Sequence, residues 1–106
     1  MPKYLVQASC TAEGTKGLLK DGGTKRRAAV EALMKELGGK VEAFYFAFGD
    51  TDAFVIIDAP DNITVAAVSL AVNASGAASS RTTSLLTPEE IDQATKKTVS
   101  YRPPGH

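Results

Sequence analysis

The stretch from Phe44 to Asn62, FYFAFGDTDAFVIIDAPDN, constrains this chain more than any other. Two dense apolar runs, Val41–Phe48 and Ala53–Ala59, are separated only by Gly49-Asp50-Thr51-Asp52. Short runs rich in Phe, Tyr, Val and Ile, bounded by Gly and Asp, predict two antiparallel strands joined by a tight hairpin. Pro60 stops the pairing, and Asp61 or Asn62 is placed to cap a following helix. Alternation puts Phe44, Phe46 and Phe48 on one face of the first strand, and Val41, Ala43, Tyr45 and Ala47 on the other. In the second strand Phe54, Ile56 and Asp58 oppose Ala53, Val55, Ile57 and Ala59. A sheet with one wet face alternates apolar and polar residues. Here both faces read as covered. One helix layer covers only one of them, so a second subunit is the expected cover for the other.

The rest of the chain supplies the elements around that hairpin. Tyr4–Cys10 reads as a strand, with Tyr4, Val6, Ala8 and Cys10 opposite Leu5, Gln7 and Ser9. Thr11-Ala12-Glu13-Gly14 opens a short helical turn reaching about Lys20, broken by Asp21-Gly22-Gly23. Thr24 is the expected cap of a longer helix in which Val30, Leu33, Met34 and Leu37 form one apolar stripe, ended by Gly38-Gly39. A further helix runs from about Ile63 to Asn73, and Ile63, Ala66, Ala67, Leu70 and Ala71 make a small-residue face suited to a sheet. Gly76 ends it. Ser79–Leu86 is a polar strand fit for a sheet edge. Thr87-Pro88-Glu89-Glu90 is a strong helix start, with Thr at the N-cap, Pro at N1 and Glu at N3. That helix reaches about Lys97, and residues 98–106 read as an extended tail.

The order is β-α-β-β-α-β with an extra C-terminal helix, the ferredoxin-like α+β pattern: an antiparallel sheet with helices on one face. Right-handed crossovers place strands one and three in the centre and two and four at the edges. At 106 residues the chain is read as one domain, able to bury roughly two-thirds of its unfolded surface. Twelve basic and twelve acidic residues cancel, so neither nucleic acid nor an anionic membrane is an expected partner. No apolar run is long enough to span a bilayer. A lone cysteine fits a reducing compartment, and cytoplasm is the expected location.

The sequence resembles the GYD-domain family. The carrying residues are Tyr4-Leu5-Val6, Gly14, Arg26 or Arg27, and Gly38-Gly39, then Gly49-Asp50-Thr51-Asp52 with Phe54-Val55-Ile56-Ile57 and Pro60-Asp61. Gly76 and Arg81-Thr82-Thr83 complete the match. Thr51 stands where the family's name-giving tyrosine is found. The resemblance implies a ferredoxin-like fold that pairs face to face as a dimeric α+β barrel. That wider group contains small monooxygenases, cyclases and plain binding proteins.

Candidate site residues divide between ligand and scaffold roles. Asp52, with Asp50 beside it, could serve an acid–base or cation site, or accept hydrogen bonds within its own turn. No metal site is expected, because the only histidine is the terminal His106, and no cofactor is implied. Arg26 or Arg27 extends the stripe of the long helix toward its N-terminus, where a cation opposes the helix dipole. It calls for an anionic ligand or an ion pair with Glu13, Asp21 or Asp58. Arg81 and Thr83 share a face of the last strand and could grip a polar ligand. Tyr45, flanked by Ala43 and Ala47, has room for a ligand or a packed subunit. Cys10 lacks a base and reads as a structural thiol. The preferred function is a homo-oligomeric protein that binds a small molecule or plays an accessory role. The alternative is a cofactor-independent enzyme (a monooxygenase, isomerase or cyclase) using Tyr45, Arg81 and Asp52. An RNA-recognition reading lacks the basic-glycine start and the second stacking aromatic.

Overall fold

The computed structural model describes residues 1–106. In chain order the elements are β1 (Lys3–Cys10), α1 (Ala12–Asp21), α2 (Gly23–Glu36), β2 (Lys40–Phe46), β3 (Ala53–Asp58), α3 (Asn62–Ala74), β4 (Ala78–Leu85) and α4 (Pro88–Thr95). The four strands form one antiparallel sheet in the order β2-β3-β1-β4. Strands one and three are central, as the crossover rule requires. The fold is ferredoxin-like α+β.

The caps follow local chemistry. Thr11 accepts the Gly14 N–H at 3.2 Å and starts α1, while its own N–H donates to Ala77 O at 3.0 Å. This joins α1 to the strand at the sheet edge. A Cβ at Gly14 would collide with the Ala77 carbonyl, so only glycine permits that approach. Asp61 caps α3 by accepting from Thr64 N at 2.8 Å. The Thr87 capping box is complete, with Thr87 N donating to Glu90 Oε1 at 2.9 Å and Glu90 N to Thr87 Oγ1 at 3.1 Å.

Four details differ from the sequence expectations. The first is the segment after β1, where the short turn is a full ten-residue helix, α1. Thr24 accordingly does not cap α2: the helix begins at Gly23, and Gly22, at φ 82°, makes the corner between α1 and α2. The second difference is a β-bulge between Val41 and Ala43. It places one extra residue, Glu42, in the edge strand and moves Val41 to the face that carries Phe44. Strict alternation therefore fails at that one position. Third, the β2–β3 loop is longer than a tight hairpin, closing with Ala47 N to Asp52 O at 2.8 Å.

The core lies between the sheet and α2 and α3. Tyr4, Val55, Ile57 and Ala59 meet Met34 from α2 and Val65 from α3, with Val6, Val30, Val41, Phe44 and Val68 packed around them. The Tyr4 hydroxyl reaches the core's edge and donates to Asn62 Oδ1. The α3 orientation is the fourth difference. Val65, Val68, Ser69 and Val72 face the sheet, whereas Ile63 and Leu70 of the small-residue face are exposed. With nearly every residue of α3 apolar or small, periodicity offers two stripes, and the β-branched valines fill the gap above the sheet better than alanines do.

Candidate functional site

The two sheet faces present different surfaces. On the helix side, the layer does not close. A cavity of about 290 Å³ remains between α2 and α3, floored by Val6, Ala8, Phe44 and Val55 and walled by Val30 and Val68. Most of its lining is hydrophobic, and Glu13, Asp21 and Arg26 stand among its polar lining residues. Cys10 also lines it and is a free, half-buried thiol. None of the expected partners of Arg26 is within ion-pair distance. Arg27 instead lies 3.9 Å from Glu31 one turn on, and Asp58 is taken by lysines.

The opposite face has no cover from its own chain. Register rows run straight across it: Tyr45, Phe54, Gln7 and Arg81 in one, Ala43, Ile56, Leu5 and Thr83 in the next. Tyr45, Arg81 and Thr83 thus share this face. Tyr45 and Arg81 sit on opposite edge strands, three strand spacings or about 14 Å apart. Tyr45 is 70% exposed and Phe54 37%, so two aromatics stand open beside the aliphatic pair Leu5 and Ile56.

Asp52 lies away from both surfaces' centres. Its Oδ2 accepts the Cys10 N–H at 2.7 Å, and its N–H donates to Ala8 O at 2.9 Å. The carboxylate therefore finishes the end of β1 rather than its own turn. Asp50 contributes its backbone oxygen, which accepts the Ser9 hydroxyl at 2.7 Å.

Sequence reasoning missed an ionic cluster at the other end of the open face. Asp58 is buried, and Lys3 Nζ lies 2.8 Å from its Oδ1 and 2.8 Å from Glu42 Oε2. Lys40 Nζ lies 3.7 Å from Asp58 Oδ2. The hydrogen bond from Lys3, reinforced by the charges of both lysines, holds the Asp58 carboxyl below its ordinary value against the opposing effect of burial. Hydrogen bonds to Asp58 and then Glu42 push the Lys3 ammonium up in turn. The signal was present in the register: Lys3 and Lys40 flank Asp58 across the ladder, one on each neighbouring strand.

An antiparallel four-stranded sheet in this order, with helices on one side and an uncovered face on the other, defines a ferredoxin-like α+β domain. The family model of the GYD domain matches residues 4–95, and the chain belongs to the GYD-domain family. No curated protein and no solved structure matches it. No helix is long and apolar enough to cross a membrane.

Proposed function

We propose that this chain is a homo-oligomeric binding protein that holds a small, largely apolar molecule in the cavity beneath its helix layer. The observation that carries the reading is the cavity itself. The cavity is partly open to solvent and leaves apolar lining in contact with water, an exposure that costs roughly 25 cal/mol per Å². A mostly apolar lining also gives water few partners. An occupant relieves that cost, and the volume sits near the lower end of ordinary ligand pockets. Arg26 lines the same cavity together with Glu13 and Asp21, so a polar or charged group on an otherwise apolar ligand would find partners there.

Tyr45, Arg81 and Thr83 belong, on this reading, to the surface through which two copies pair, not to the ligand cavity. Support comes from the uncovered rows of Leu5, Ile56, Phe54 and Tyr45. The enzyme alternative would need Tyr45, Arg81 and Asp52 to converge. Within one protomer they are spread over opposite edges and a loop, and the Asp52 carboxylate is already engaged by Cys10. A free thiol and balanced charge support a reducing, cytoplasmic setting.

The test is to fill the cavity. Val68→Phe places a ring into the space between α3 and the sheet. Anilinonaphthalene sulfonate, an apolar anion, is expected to bind the wild type with saturable fluorescence and the Val68→Phe variant roughly tenfold more weakly or worse. The variant's melting temperature should hold or rise, because the ring covers apolar surface that water otherwise touches. Undiminished binding by a folded variant would overturn the proposal.

A further inference from the structure

The C-terminal segment is fully specified as structure and yet packs on nothing in its own chain. Helix α4 has a complete capping box and Pro at its first position, but none of its residues is buried. Leu86, Ile91, Val99 and Tyr101 are all exposed, Val99 by 76% and Tyr101 by 72%. An isolated helix of eight residues falls below the roughly 12–15 that hold together alone in water. Such a helix requires a surface to lie on.

Its own sheet cannot provide that surface without undoing the joint. Only Leu86 and Thr87 connect β4 to α4, and Thr87 is extended, at φ −74° and ψ 159°. Proline at the next position enforces that extension, and both hydrogen bonds of the capping box fix the helix direction. The arm therefore leaves the sheet edge and continues outward. The radius of gyration shows it: 17.0 Å, against about 13 Å for a compact chain of this length. The longest dimension is 58 Å, nearly twice the next at 32 Å.

The open sheet face raises the complementary problem. Four strands about 4.8 Å apart and some six residues long give a footprint of roughly 400 Å². A stable interface buries about 800 Å² per partner. Even with side-chain relief, the face alone is small for a lasting dimer. A capped helix and a tail carrying Ile91, Val99 and Tyr101 supply apolar area where it is short.

We infer that residues 86–106 form an exchange arm that packs in trans on a second copy of this chain, along the rim of the partner's open sheet face. The inference rests on the pairing part of the reading above and adds which segment completes the interface. Two chains related by a twofold axis would each give and receive one arm.

The experiment uses the full chain. Light scattering across a micromolar concentration series compares wild type with Ile91→Glu, a change at a position exposed in its own chain. The expected result is a wild-type mass of twice 11.1 kDa and an Ile91→Glu dimer that dissociates at concentrations about tenfold higher or more, the loss of roughly one buried apolar contact. Unchanged thermal stability at low concentration would show that the variant still folds. A second measurement assigns the contact to the other chain. Copies with Cys10→Ser and a spin label on Ser100→Cys are mixed with unlabelled copies carrying nitrogen-15. Amide signals of Leu5, Phe54 and Ile56 in the nitrogen-15 copies should broaden. A wild type that is monomeric throughout would overturn the pairing itself. A dimer indifferent to Ile91→Glu, or one without broadening between chains, would overturn the arm alone.

Discussion

Asp52 acts through one hydrogen bond at the point where β1 stops pairing with β3. Its carboxylate takes the Cys10 N–H at 2.7 Å, a group that no strand neighbour satisfies on the β3 side. Asp52→Asn keeps an acceptor oxygen and should melt within a few degrees of wild type. Asp52→Ala strands a half-buried donor at a cost of about 1 kcal/mol, which lowers the melting temperature by about 4–8 °C in a domain near this size. Thermal unfolding of the two variants checks the order; equal losses would mean that the charge, not the acceptor, is what β1 requires. Asp58 works through charge instead. Its folded carboxyl lies below its ordinary value because Lys3 donates to it, so the unfolded chain takes up the proton first as pH falls. The stability it contributes is fully present above the ordinary carboxylate range and is lost as pH drops through the lower, folded value. Lys3 is raised and has the opposite sense: its contribution holds below the ordinary lysine range and fades as pH climbs toward the folded value. Urea unfolding of Asp58→Asn from about pH 2 to pH 7 should show a lower plateau and a shallower acid limb than wild type.

At the scale of elements, α4 depends on its cap more than any other helix, since it has no packing in its own chain to fall back on. Replacing Thr87 by Ala removes one acceptor and, with it, half of the capping box. A loss of about 1 kcal/mol shifts the helix equilibrium roughly fivefold. Far-ultraviolet circular dichroism should lose helix signal while the melting of the sheet and of α1 to α3 stays in place at low concentration. If α4 serves as the exchange arm, the same variant also pairs more weakly. Helix α2 shows the opposite dependence. Gly22 caps α2 without any side-chain bond, and its stability comes from setting Met34 and Val30 against the sheet.

The whole molecule is a sheet with two unequal sides. The helix side is under-filled, leaving a cavity between α2 and α3, and the other side is bare. The central strands meet α2 and α3 through Tyr4, Val55 and Ile57, and the cavity opens beyond that cluster, toward Ala8 and Cys10. A second copy over the bare side and a ligand under the layer would each supply apolar contact that the chain lacks by itself. Only nine residues are buried, few for a domain of this length to stand on; on the proposed reading, stability should rise with protein concentration and with bound ligand, which thermal melts across a concentration series would check.

Element order, strand pairing and most caps were legible in the residues. Alternation in Phe54–Ile57, the Asp61 and Thr87 caps and the Pro60 stop are all local signals, set by steric and hydrogen-bonding preferences within a few positions. The central placement of β1 and β3 followed from the handedness of crossovers, which is equally local in origin. What the residues alone left open depended on contacts between distant segments. The bulge at Glu42 arises where an edge strand must bring Val41 inward and let Glu42 reach Lys3, a residue thirty-nine positions away. The face of α3 was undecidable from its spacing, because alanines and valines both make a stripe and only the shape of the sheet beneath selects between them. Asp52 has the right chemistry for a turn, a site or a strand end, and its partner Cys10 is forty-two positions away. The cavity and the outward arm belong to the same class: each is a space or surface between elements, fixed by how those elements pack and not by what any one of them is.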